Sequence, residues 1–161
     1  MAVSVPTVRQ TSWISVIPHF IIMFLIVGIF YFLNISDFVM KGLLTYLSLS
    51  FALKYFVPKS HREGMKLTKL NQYEDAITKY ENSYNFFTKN LWIDKYRFIT
   101  LLSASKNSYR EMALCNIAFC YSQIGKGHIA TEYYQKTLNE FPENGMAIAG
   151  LKMINSTNEN K

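Results

Sequence analysis

Between residues 111 and 144 the chain sets small, aromatic and turn-forming residues at the spacings needed by two closely crossing helices. Leu114, Ile117, Ala118 and Tyr121 share one helical period, Gly125 interrupts it, and Ala130, Tyr134 and Leu138 resume it before Pro142 and Asn144. Ala118 and Ala130 are small where a bulky side chain would push two helix axes apart. Tyr121 and Tyr134 fill the space between those helices and their neighbours. Gly125, with Gly127 two residues on, suits a helix C-terminus that needs positive φ. Pro142 ends the second helix because it lacks the amide donor and clashes with the preceding turn.

This pattern resembles the tetratricopeptide repeat, which asks for a large apolar residue, Leu-Gly, an aromatic, Ala, an aromatic and a closing Pro. Ala118 stands where the family more often has Gly, and Leu114 where it more often has Trp. A weaker copy lies upstream, where Gly64, Leu67, Tyr73, Ala76 and Tyr80 repeat the spacing of Ala118, Tyr121, Gly127, Ala130 and Tyr134. Asn71 takes the place of Gly125, and Asn also tolerates left-handed backbone. Thr88 stands where the closing Pro would be. Ala76 and Ala130 lie 54 residues apart, against about 34 for uninterrupted repeats. The surplus is read as an inserted helix over 91–110, started by Asp94 as N-cap and running into the first helix of the second copy. The stretch 145–154 (GMAIAGLKMI) reads as a capping helix, and 155–161 as a frayed polar tail. The expected fold is all-α, with a repeat-like solenoid over 58–154 and repeats at about 57–90 and 111–144.

The N-terminal third points to a membrane. No Lys, Arg, Asp or Glu occurs between Gln10 and Ser36, and 13–33 is a run of 21 residues, about the length that crosses a bilayer core. Trp13 at one end, with Tyr31 and Phe32 at the other, suits interfacial aromatic belts. The run is too long for a cleaved signal peptide, only Arg9 is basic before it, and no small-x-small cleavage site follows. A second apolar stretch, 38–57, contains Lys41 and Lys54 near its ends, where they could snorkel to headgroups. The link 34–37 leaves room only for a tight turn. The expectation is a tail at 1–12 and a transmembrane helical hairpin at 13–57. One span followed by an interfacial helix is the alternative.

Beyond the hairpin come Lys59, Arg62, Lys66 and Lys69, opposed only by Glu63. Basic residues stay on the cytoplasmic side, so the repeat domain is expected in the cytosol for either span count. The chain carries +6 overall. With the basic excess next to the hairpin, anionic lipid is the expected counter-charge, at roughly 1 kcal/mol per basic residue. Lys54, Lys59, Arg62 and Lys66 are the expected headgroup contacts. Nucleic acid is not expected, because Glu111, Glu132, Glu140 and Glu143 mark the later repeat and no basic stripe runs along it. The Lys, Asn, Ile, Tyr and Phe usage fits an AT-rich genome, and so the cell membrane of a bacterium.

Catalysis is not expected, and neither is a cofactor or a metal. His19, His61 and His128 are not spaced as ligands, and no phosphate loop or nucleophile motif occurs. Cys115 and Cys120 lie five apart in one helix, where a disulfide is geometrically implausible; buried thiols are the reading. The resemblance implies that the first helix of each pair lines a peptide-holding groove. Carried over, that gives Met112, Cys115, Asn116, Phe119, Ser122 and Gln123 in the second copy, and His61, Met65, Thr68 and Lys69 in the first. A carboxylate clamp would need Lys and Asn where His61 and Met65 stand, so the surface suits an extended or helical peptide instead. The expected function is a membrane-anchored scaffold or adaptor for a protein or peptide partner. The alternative is an accessory subunit acting through its hairpin on a channel, transporter or membrane enzyme, with Gly28, Gly42, Ser48 and Ser50 allowing close helix approach. The inserted segment, apolar nearly all round, is expected in the core. The other uses for it are to plug the groove, to rest on the lipid or, as for the hairpin, to mediate self-association.

Overall fold

A computed structural model describes residues 16–159, with side chains to 156, and every regular element among them is helical. The N-terminal tail, Arg9, Trp13 and residues 160–161 lie outside the described residues. The chain divides into two compact units, one containing 59–90 and 107–159 and the other containing 16–58 and 91–106.

The first unit is built from five helices: α3 (Lys59–Lys69), α4 (Tyr73–Lys89), α7 (Tyr109–Gln123), α8 (Gly127–Glu140) and α9 (Gly145–Glu159). α3 packs on α4, α4 on α7, α7 on α8 and α8 on α9, while α3 and α7 make only slight contact. The two turns are built alike. Asn71 (φ 58°) and Gly125 (φ 77°) occupy the middle of three-residue links. In the first link Gln72 N donates to Leu67 O at 3.0 Å, and in the second Lys126 N donates to Tyr121 O at 2.9 Å. This six-to-one closure needs a left-handed residue at C′, which Asn and Gly both supply at low cost.

α7 is the spine of this unit, with Ala113, Leu114, Cys115, Ile117, Ala118 and Cys120 buried. One cluster joins it to α4 through Ala76, Ile77 and Tyr80, and another joins it to α8 and α9 through Tyr134 and Ala147. Each cluster has an aromatic ring seated where a neighbouring helix has no side chain. A Cβ on Gly64 would lie 2.8 Å from Tyr80 Cε1, and one on Gly150 would intrude on the Tyr134 ring. Thr68 donates its proton to Gly64 O at 2.9 Å, so the Tyr80 hydroxyl, 3.0 Å away, is the donor to Thr68 Oγ1.

Glu111 ties two helix starts together. Its amide donates to Ser108 Oγ (3.2 Å) and its carboxylate accepts from Ser108 N (3.0 Å), a capping box. The other carboxylate oxygen accepts from Asn144 Nδ2 at 3.2 Å. Asn144 Oδ1 in turn caps α9 by accepting from Ala147 N at 2.9 Å, and it also accepts from the Cys115 thiol at 3.3 Å.

The second unit holds α1 (Val16–Phe32) and α2 (Phe38–Phe56), packed as a hairpin, with two short helices, α5 (Leu91–Lys95) and α6 (Arg97–Thr100); α6 touches α1. In α2 the buried residues are Gly42 and Ser50, and in α1 none is buried. A Cβ on Gly42 would meet Val27 Cγ2 at 2.8 Å, so the two backbones approach closely there. Gly28 and Ser48 do not serve this crossing: Gly28 faces open space and Ser48 is exposed. The large apolar side chains point outward, Phe24 at 66%, Phe32 at 82% and Phe51 at 68% exposure among them.

Two expectations change, and the described residues do not support a third, the transmembrane hairpin. No helix among the described residues is long and apolar enough to cross a membrane. α2 carries Lys41 and Lys54, and α1 is described only from Val16. The inserted segment 91–110 is not one helix. Asp94 lies within α5 rather than capping it, Leu102 turns to φ 47°, and Ser108 starts α7 anew. Arg97 holds this break by donating to the carbonyls of Asp94, Ser105 and Lys106. Leu101 and Leu102 are buried, but Trp92, Tyr96 and Ile99 are exposed. The capping helix extends through the expected tail to Glu159.

Two substitutions test this packing in urea melts of the full chain. Gly64→Ala should cost about 1–3 kcal/mol by overpacking against Tyr80, whereas Gly127→Ala, with nothing within 4 Å, should shift stability by less than about 1 kcal/mol. Glu111→Ala should cost about 1–3 kcal/mol, because it leaves Ser108 N and Asn144 Nδ2 without their acceptor.

Candidate functional site

Among the six buried residues of α7 runs a narrow, partly exposed seam. Met112, Asn116, Phe119 and Gln123 fall at i, i+4, i+7 and i+11, within about 60° of arc, and all four are half-buried. Phe119 packs edge-on to Tyr73 with ring centres 6.3 Å apart, so its position is held by the start of α4. Ser122 lies to one side and donates its hydroxyl to Phe119 O at 2.7 Å. The seam offers two apolar side chains alternating with two amides.

Three expected groove residues, Cys115, His61 and Thr68, are withdrawn from the surface. Cys115 is buried between Asn144 and the cluster containing Ala147, and burial pushes its thiol up to about 12. His61 is buried with its ring edge-on to Tyr80 and Tyr109, 5.4 and 5.3 Å between centres, and its Nδ1 3.4 Å from Ser83 Oγ. His61 and Cys115 fail for one reason. They are equivalent positions, 54 residues apart, and each faces the second helix of its own pair. Thr68 is likewise buried and bonded, while Met65 and Lys69 remain exposed on α3. Cys120 is buried, and its thiol is pushed up to about 11 by burial. Among the expected headgroup contacts, Lys54, Lys59 and Lys66 are exposed and Arg62 is half-buried.

A second concavity, of about 180 Å³, lies between α4, α7 and α8. Leu114 and Ile117 are part of its lining, with Tyr84, Tyr133, Glu81 and Lys136 around them. Tyr84 donates to Glu140 Oε1 at 2.6 Å, Tyr133 donates to Glu81 Oε1 at 3.3 Å, and Arg110 pairs with Glu140. Lys136 Nζ stands 4.7 Å from the Tyr84 ring centre. No periodicity could have found this group, because Tyr84 and Glu140 are 56 residues apart. Glu140 is held by Arg110 and Tyr84, and Glu81 by Tyr133, which makes the group a brace between helices. Among the described residues no group of three His, Cys, Asp or Glu could hold a metal ion. His19 Nε2, in the other unit, is buried without a hydrogen-bond partner among the described residues.

The chain matches no known protein-family model, curated protein or solved structure.

Burial pushes the His61 pKa from 6.5 down to about 4. Above pH 6.5 the ring is neutral in folded and unfolded chains alike, so that stability is fully present. Between these values the unfolded chain takes up a proton that the folded one refuses, and stability falls as pH falls. The loss should approach about 3 kcal/mol by about pH 4. His61→Phe should flatten that window in urea midpoints measured across it.

Proposed function

We propose that this chain is a membrane-anchored adaptor of the tetratricopeptide kind, which holds a protein or peptide partner on the cytosolic face of a membrane. The observation that carries the reading is the inverted packing of α1 and α2. Glycine and serine are inside, and Phe20, Phe24, Leu25, Leu44, Leu47 and Phe51 are outside. In water such a surface far exceeds the apolar patch a soluble monomer exposes. In lipid it is the expected arrangement, since helices there associate through small residues and turn large ones to the acyl chains. This packing supports a hairpin embedded in lipid, with exposed Trp92 and Tyr96 of the same unit suited to the headgroup level.

The adaptor half of the reading rests on the first unit. Its two turns agree residue for residue at a fixed offset, as repeated structural units do, and α7 presents a seam of Met112, Asn116, Phe119 and Gln123. An apolar pair interleaved with amides suits a peptide whose side chains anchor while its backbone is bonded. The second reading, an accessory subunit acting through the hairpin, is favoured by the apolar notch over Gly28, bounded by Phe24, Leu25 and Phe32.

Crosslinking in cells and co-purification in mild detergent separate the two. A Phe119→Ala, Asn116→Ala variant should lose a soluble partner by about tenfold or more, as hot-spot truncation does. Integral membrane partners kept equally by both forms would instead place the function in the hairpin.

A further inference from the structure

α3 carries two opposed faces. His61, Gly64 and Thr68 are its buried residues, and they centre on one side of the helix. Lys59, Arg62, Lys66 and Lys69 fall at i, i+3, i+7 and i+10, within about 80° of arc on the opposite side. The one acidic residue of the helix, Glu63, is drawn to Lys79 of α4 at 2.8 Å, which adds a cation to that pair. Among the described residues no carboxylate lies within ion-pair distance of Lys66 or Lys69. Because the Tyr80 ring is seated against Gly64, where a Cβ would collide with it, the rotation of α3 is fixed, and so is the direction in which its cations point.

We infer that this stripe is a docking surface for anionic phospholipid headgroups. The inference rests on the membrane-anchored reading above and deepens it. Charge complementarity names the occupant: four cations in one line meet a layer of phosphates, and the helix begins three residues after the lipid-facing α2 ends at Phe56. Two assignments change as a result. Lys69 belongs to the lipid face rather than to a peptide groove, and Lys54 is not part of the stripe. Partner binding is then left to the α7 seam, and the membrane fixes which way that seam faces.

The test is flotation of the full-length chain with vesicles of phosphatidylcholine alone or with added phosphatidylglycerol, at low and high salt. Phosphatidylglycerol should raise the bound fraction, and high salt should remove the increment. The Lys59→Glu, Lys66→Glu, Lys69→Glu variant should lower that increment at least about tenfold while leaving binding to neutral vesicles unchanged. If that variant does not fold, the Lys→Gln series at the same positions should lower the increment in the same direction. An increment unchanged in folded variants overturns the inference, as does tighter binding to a DNA duplex than to the anionic vesicles. Loss of binding to neutral vesicles with the increment intact would sink the lipid-embedded hairpin and leave the α3 stripe standing.

Discussion

A tyrosine ring pressed against a helix that has no side chain at that point sets the geometry of the unit formed by 59–90 and 107–159. Tyr80 lies on Gly64, and Tyr134 lies on Gly150 beside Ala118. Close-packed interiors tolerate neither a void nor an extra methyl there, so these contacts fix how near α3 comes to α4 and α9 to α8. They also fix rotation. Once Tyr80 is seated and its hydroxyl donates to Thr68, His61 must point inward and Lys66 outward. The seam on α7 follows from the same constraint, since burying Ala113, Ile117 and Cys120 on one side and Cys115 and Ala118 on the other leaves Met112, Asn116, Phe119 and Gln123 between them.

The helical pairs were legible because their determinants are local. Asn71 and Gly125 announce left-handed turns at any level of description, and Pro142 stops α8 within two residues of Glu140. The inserted segment was misread because its determinants are not. Arg97 reaches carbonyls eight and nine residues away, and composition alone cannot show that these bonds outcompete a continuous helix. Ser108 and Glu111 did form a visible capping box, which was the available sign that α7 starts afresh. At the candidate site, the residues implied by the repeat resemblance include the α7 seam but overrun its edges. His61 and Cys115 sit at the border of the buried arc, and only the partner helix decides which way such a residue goes.

The two units follow opposite rules. One places aromatic and apolar side chains inside and ties its helix ends with polar bonds, as a chain folding in water does. The other puts Gly42 and Ser50 inside and its phenylalanines outside. That inversion is what supports the proposed membrane anchor, and α3 follows α2 in sequence.

Alkaline carbonate extraction of membranes from cells making the full chain tests the central claim most directly, because it strips peripheral proteins and leaves those held by apolar contact with lipid. Retention in the membrane pellet is the result the inverted hairpin predicts. Release into the supernatant as a monodisperse folded protein would contradict it, and would require another cover for the apolar faces of α1 and α2.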